Sequence, residues 1–437
     1  MHTCDLLLAA DYVLTQDHER HILEDAAVAV KDGLVAAVGK ADEVRAAWAP
    51  ARTLDMGGGM IVPGLINSHS HVSMTFLRGR ADDLPLMQWL TEHIFPVEAR
   101  LTPEVARMGA LLGFAEMLRT GTTACLDMYL FEEQVLDAAR TAGIRCMGGE
   151  VTFMFPSACC AGPEEALQRT RAMAERYAGH DRLSVCVSPH AVYTTTPDIL
   201  SRCRDLAEEL NLPLHIHLAE TASETEQCLS LFGKRPIPYC ADLGLLSPRA
   251  TLAHVVDVTD EELELLAQSG AVVAHNPSSN MKLASGAARI PAMLQRGIPV
   301  ALGTDGPASN NRMNMFTEMG RAALMHKLSG GDPTVFSAQE ALDAATLGGA
   351  AALHAPGLGQ LVPGAPADLA VLSLREPHML PMYNAVSQTV YAATGMETRL
   401  TMVAGEILYM DGAFTRFSYD DLLREADSLR RWTLGRA

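Results

Sequence analysis

Ile61-Val62-Pro63-Gly64-Leu65-Ile66-Asn67-Ser68-His69-Ser70-His71 is an apolar, strand-like run that ends in two histidines spaced i and i+2. Successive side chains of an extended chain alternate faces, so His69 and His71 point the same way. Moving outward, the pattern recurs. Further apolar runs occur at Gly121–Asp127, Ile144–Gly148, Leu183–Ser188, Leu214–Leu218, Thr251–His254, Ala271–His275 and Val300–Thr304. Helical spacing fills the gaps, as over Val105–Leu118, Ile199–Glu209, Asp260–Ser269 and Ile290–Gln295. Strands alternating with helices make parallel βαβ units, and eight of them predict a (β/α)8 TIM barrel of the α/β class.

Both chain ends have a different texture. Ala26–Val30 and Leu34–Val38 flank the turn Lys31-Asp32-Gly33, a hairpin signal. Ala367–Leu374, Leu400–Val403 and Ile407–Tyr409 repeat that texture, the last pair around Ala404-Gly405-Glu406. These ends are expected to pair into a small β-sandwich. The predicted domains are an accessory sandwich of residues 1–62 plus 360–437 and a catalytic barrel of residues 63–359.

Composition bounds the function. The chain has 437 residues, of which 48% are hydrophobic and 20% charged, as a globular protein requires. A net charge of −18 argues against a nucleic-acid partner, which needs a basic patch. Lys31, Lys40, Lys234, Lys282 and Lys327 are scattered and make no polybasic membrane anchor. The N-terminus has no basic, leader-like stretch and no run of about 18 apolar residues occurs, so no membrane partner and a cytoplasmic setting are expected. The nine cysteines contain no C-x-x-C; they read as small core residues in a reducing compartment.

In a barrel of this type chemistry collects where the strands end. Seven of the fifteen histidines fall there: His69, His71, His190, His215, His217, His254 and His275. Asp127 and Asp305 end or follow two more runs. His69, His71, His217 and Asp305 are the expected metal ligands, since three imidazoles and a carboxylate suit Zn²⁺ or Fe²⁺. His215, one alternation deeper, is expected in the core or behind a ligand. Glu220, three residues past His217, is the candidate proton shuttle. No lysine lies near Ser188-Pro189-His190, where a carbamate bridge between two ions would be anchored, so one divalent metal per chain is expected.

Pro63 to His71, His217-Leu218-Ala219-Glu220, His254 and Gly303-Thr304-Asp305-Gly306 resemble the amidohydrolase superfamily signatures. Longer stretches narrow the likeness. Arg78 to Leu90, Ile94-Phe95-Pro96-Val97-Glu98, Ser188 to Thr194, His275 to Gly286 and Gly303 to Asn311 are similar to the triazine hydrolase/cytosine deaminase-like branch. Within it they look most like the 5-methylthioadenosine/S-adenosylhomocysteine deaminase family. The resemblance implies a hydrolase that deaminates C6 of an adenine nucleoside, with Glu220, His254 and Asp305 catalytic. It implies that Glu98 binds the ribose hydroxyls, His190 contacts the purine or ribose, and Trp89 packs on the nucleoside. Family members are often homo-oligomers, so an oligomer is expected. The alternatives are a relative acting on guanine, a pyrimidine-like ring or an s-triazine, and a non-catalytic scaffold. One departure bears on the substrate. Family arginines expected after the third strand are absent between Gly149 and Glu165, with Glu150 and Pro163 there instead. An arginine fork suits a carboxylate tail, so Phe153, Met154 and Phe155 are expected to favour an apolar methylthio tail.

Overall fold

The computed structural model describes residues 1–435. Its barrel strands are β1 (Leu65–Ser70), β2 (Thr122–Tyr129), β3 (Arg145–Thr152), β4 (Leu183–Val185, continued by Ser188–Pro189), β5 (Leu214–Leu218), β6 (Ala250–His254), β7 (Val272–His275) and β8 (Val300–Leu302). Each coincides with one of the apolar runs. Strands β1 to β4 pair in parallel, and so do β5 to β8. Bridges Val187–Leu214 and Ala191–His217 join the two groups. The ring closes from β8 to β1, where the Asp305 N–H donates to the His69 carbonyl at 3.0 Å. Beside it the Thr304 N–H donates to Asn67 Oδ1 at 2.9 Å.

The opening run divides at Gly64. Gly59–Pro63 pairs with Leu369–Ser373 and with Tyr12 and Val13, whereas β1 pairs with β2. A Cβ on Gly64 would sit 2.1 Å from Thr123 Oγ1, so only glycine lets the chain turn out of one sheet into the other. Helix signals act as local chemistry dictates. Asp260–Ser269 starts with a capping box of Thr259 and Glu262 and stops at Gly270, whose φ is +70°.

The terminal strands form one nine-stranded sheet built from both ends of the chain. Strands from both chain ends contribute to one buried core of Leu8, Val28, Ile61, Val371, Leu400 and Met402. The N-terminal hairpin turns through Asp32 and Gly33, both at positive φ, as the right-handed twist of paired strands demands. The final helix, Tyr419–Thr433, is amphipathic and lies on the barrel: Thr433 Oγ1 donates to the Phe76 carbonyl at 3.2 Å. We propose the cut 1–62 plus 360–437 against 63–359, with residues 436 and 437 outside the described part. Among the described residues no helix is long and apolar enough to cross a membrane.

Candidate active site

Polar side chains converge at the C-terminal ends of β1, β5, β6 and β8, beneath one cavity. Donor atoms of His69, His217, His254 and Asp305 all lie within 4.8 Å of one another. His71 Nε2 joins them, 3.2 Å from both Asp305 Oδ1 and His217 Nε2.

What each imidazole does with its other nitrogen determines the chemistry. His71 Nδ1 donates to the Met128 carbonyl at 2.5 Å, and His217 Nδ1 to the His190 carbonyl at 2.8 Å. His215 Nδ1 donates to the Thr251 carbonyl at 3.0 Å, which leaves its Nε2 as an acceptor 2.8 Å from His69 Nδ1. His69 therefore carries its proton on Nδ1. Its buried Nε2 has no hydrogen-bond partner at all. Three Nε2 lone pairs thus face each other and a carboxylate, an arrangement that a proton donor cannot satisfy and a cation can. Burial drives His69 and His217 well below the ordinary imidazole range, so both are neutral and able to offer a lone pair to a cation. Burial also opposes protonation of His71, but Asp305 and Asp127 outweigh it and carry His71 up to about 9, so its Nε2 gives up a proton when it offers its lone pair to a cation. Burial would raise Asp305, yet the His69 and His71 imidazoles facing its Oδ1 at 3.4 and 3.2 Å hold it well below the carboxylate range. The donor set fits one divalent ion such as zinc.

Supporting contacts hold these groups still. Asp305 Oδ2 accepts from Ser279 Oγ at 2.6 Å and Ser309 Oγ at 2.7 Å. Asp127 Oδ1 accepts from Ser70 Oγ and the Val72 N–H, both at 2.7 Å, and pins the turn that carries His69 and His71. His254 Nδ1 donates to Asn280 Oδ1 at 2.8 Å. His254 and Asp305 have φ of +74° and +60°, left-handed backbone that costs energy in a non-glycine residue and is common at functional sites.

The cavity encloses about 650 Å³ of atom-free space, open mouth included. His71, Trp89, Glu98, His190, His217, Glu220, His254 and Asp305 all line it, so it gathers the sequence candidates except His69, which lies beneath. Glu220 Oε1 is 4.0 Å from His254 Nδ1 and 3.4 Å from Ser285 Oγ. Burial raises the Glu220 carboxyl, opposed by His254. Glu98 is buried and accepts from the Tyr129 hydroxyl at 2.7 Å; burial raises its carboxyl, and that hydrogen bond opposes the rise. His190, bonded through Nδ1 to Thr194 Oγ1 at 2.8 Å, is pushed down to about 3 by burial and is a neutral polar group. Trp89 opens a π-helical turn, Trp89–Ile94, and ties its Nε1 to the Ala81 carbonyl at 3.2 Å.

An adjoining cavity is lined by Phe95, Glu98, Leu130, Phe153, Phe155, Pro156 and neighbours, and neither cavity has a lysine or arginine in its wall. Met154, expected to join this wall, instead turns to solvent at 49% exposure. Glu150 also faces away: its two oxygens accept the Phe131 and Glu132 N–H groups at 3.1 Å each. Pro163 begins the helix Pro163–Arg176 and reaches neither cavity. Sequence reasoning missed Tyr129 as the Glu98 partner. It lies at i+2 from Asp127 on β2, and that alternation was the available signal.

A profile described as Amidohydrolase family matches residues 60–408. The chain is 63% identical over 430 residues to a 5-methylthioadenosine/S-adenosylhomocysteine deaminase of Desulfovibrio desulfuricans, covering 98% of both chains. It superposes with a TM-score of 0.98 on an adenosine deaminase from Xanthomonas campestris crystallised with zinc, at 36% identity and 99% of each chain. A zinc complex of atrazine chlorohydrolase from Arthrobacter aurescens has a TM-score of 0.91, at 25% identity, with 97% of this chain and 100% of that one covered.

Proposed function

Because the chain belongs to the amidohydrolase family, we propose that it is a metal-dependent deaminase of adenine nucleosides that releases ammonia and the inosine analogue. The observation that carries this reading is one cavity with the imidazole–carboxylate cluster as its floor and the buried acids Glu220 and Glu98 in its walls.

His69, His71, His217 and Asp305 would hold the cation. When bound it supplies Lewis acidity, which lowers the pKa of water from about 16 toward 7. The chain's own groups manage the protons. Asp305, with His254 beside it, accepts a proton from the attacking water. Glu220 gives a proton to ring N1 as the water oxygen adds to C6, so the ring never carries a full negative charge. The amino group leaves as ammonia once it has gained the proton that Asp305 took from the water, and Glu220 regains its own proton from the C6 hydroxyl as the carbonyl forms. His254 is held on Asn280 and so can orient the water without turning. Glu98 accepts hydrogen bonds from the ribose hydroxyls; Trp89 and His190 pack on the base and sugar. A free base or a triazine has no diol for Glu98.

The 5′ substituent would enter the adjoining cavity. Its phenylalanines and Pro156 favour a methylthio group, and no cation in the wall is available to pair with the carboxylate of a homocysteine tail. The same reading puts the enzyme in a reducing cytoplasm, in keeping with nine buried free cysteines. It also includes a homo-oligomer, for which Leu324 and Leu328, exposed one turn apart on the helix Met315–Gly330, offer an apolar surface.

An ammonia-release screen over methylthioadenosine, S-adenosylhomocysteine, adenosine, guanine and s-triazines, with zinc quantified, tests this. The expected kcat/KM order puts methylthioadenosine first. A clear preference for the homocysteine compound removes the tail argument, and turnover confined to guanine or triazines removes the nucleoside reading.

A further inference from the structure

A second set of convergent donors lies just beyond β3, outside both cavities. Cys159 Sγ is 3.0 Å from Glu150 Oε1 and 3.5 Å from Cys160 Sγ. The ligand atoms of Glu150, Cys159 and Cys160 all lie within 4.8 Å of one another, and all three residues are buried. The turn that brings the sulfurs together is tied to itself. The Ser157 N–H donates to the Cys160 carbonyl at 2.8 Å, and the Cys160 N–H to Ser157 Oγ at 3.2 Å. Glu150 is equally fixed, because each of its oxygens accepts a backbone N–H; Oε1 also accepts the Cys159 thiol, whose proton a cation would replace, and Oε2 keeps one lone pair. A cation lies nearby as well: Arg169, lowered by burial but raised chiefly by its 3.1 Å pair with Glu165, is raised further by Cys160, Glu150 and Cys159.

We propose that Glu150, Cys159 and Cys160 form a site for a soft, thiophilic divalent cation, distinct from the cation in the barrel mouth. Thiolates select soft ions, whereas the barrel mouth offers only imidazole and carboxylate. Binding is acid–base chemistry with no electron transferred. Two sulfur–metal bonds form, and each thiol releases its proton to solvent, so affinity rises with pH. Arg169 offsets the negative charge of the thiolates. The site adjoins substrate space, because Ser157 and Ala158 of the same turn line the apolar cavity. The inference is independent of which nucleoside is the substrate.

The test is a titration of zinc-loaded enzyme with Cd²⁺, read by the ultraviolet thiolate-to-cadmium charge-transfer band. The barrel mouth has no thiol and is silent in this band. Wild type should saturate at one Cd²⁺ per chain. The Cys159→Ser/Cys160→Ser double variant should lose the band at least tenfold and keep its turnover, which reports that it is folded. No band in wild type, or an equal band in the double variant, overturns the proposal. Should the double variant not fold, Glu150→Gln serves: a tenfold weaker Cd²⁺ affinity with the band retained supports the site, and an unchanged affinity removes Glu150 from it.

Discussion

The barrel mouth and the terminal sheet are both buried, yet they are made of opposite materials. The mouth brings His69, His217, His254 and Asp305 together out of water, each fully buried or nearly so. The sheet core packs Leu8, Val28, Ile61, Val371, Leu400 and Met402, with no polar side chain among them. Burial means different things in the two places. In the sheet it is the source of stability, at roughly 25 cal/mol per Å² of apolar surface. In the mouth it strips water from His69 and His217, which stay neutral, and from Glu220 and Glu98, whose carboxyls it raises. Damage to the mouth should therefore cost turnover at little cost in folding, and damage to the sheet should do the reverse.

Removal of the cation is the most severe way to test that division. Dialysis against a chelator should abolish ammonia release, and zinc should restore it, while far-ultraviolet circular dichroism is preserved. A loss of secondary structure on chelation would make the mouth part of the stabilising core and break the contrast. Glu220→Gln is next. Its charge disappears but its shape stays, so zinc content should match wild type while kcat falls by about 10³. Near-normal turnover would take the proton shuttle away from Glu220.

These two regions were also unequally legible in the sequence. The eight runs and their polar ends stood out because strand periodicity and ligand spacing are local signals. His69, His71, His217 and Asp305 could be proposed as ligands from position, and the structure gathers His69, His217 and Asp305 with His254 in one donor group, with His71 beside it. What fixes them could not. The Nδ1 of His71 is set by the carbonyl of Met128, and that of His69 by His215, itself set by Thr251. Backbone carbonyls of other strands carry no sequence signature. Glu150 shows the same limit. Its position after the third run suggested the substrate side, yet its oxygens bind the Phe131 and Glu132 amides, because a strand residue faces whichever neighbour its register allows. The division of the first run at Gly64 was hidden as well, since it depends on how closely Thr123 approaches.

Glu98 sharpens the contrast within the mouth. It lies on the wall and not in the cluster, and its one protein partner is the Tyr129 hydroxyl. Glu98→Leu should leave zinc content intact and lower kcat/KM for nucleosides by about 10–100-fold, the worth of one or two hydrogen bonds to a charged acceptor. Comparison with a 2′,3′-dideoxy analogue separates the roles. The variant and wild type should differ little on that analogue if Glu98 reads the diol, and differ as much as before if it only supports the wall.

The smallest effect on turnover belongs to the sheet. Leu400 is fully buried in its core, far in kind from any proton or metal donor. Leu400→Ala removes apolar surface and leaves a cavity, for a loss of about 2–5 kcal/mol. The melting temperature should drop by several degrees while kcat per folded molecule stays within about twofold of wild type. Both ends of the chain share that core, so the variant also measures how tightly the sheet holds the barrel. Were kcat to fall together with the melting temperature, strain in the sheet would be reaching His69 through Gly64 and β1, the more direct of the two covalent links between the regions.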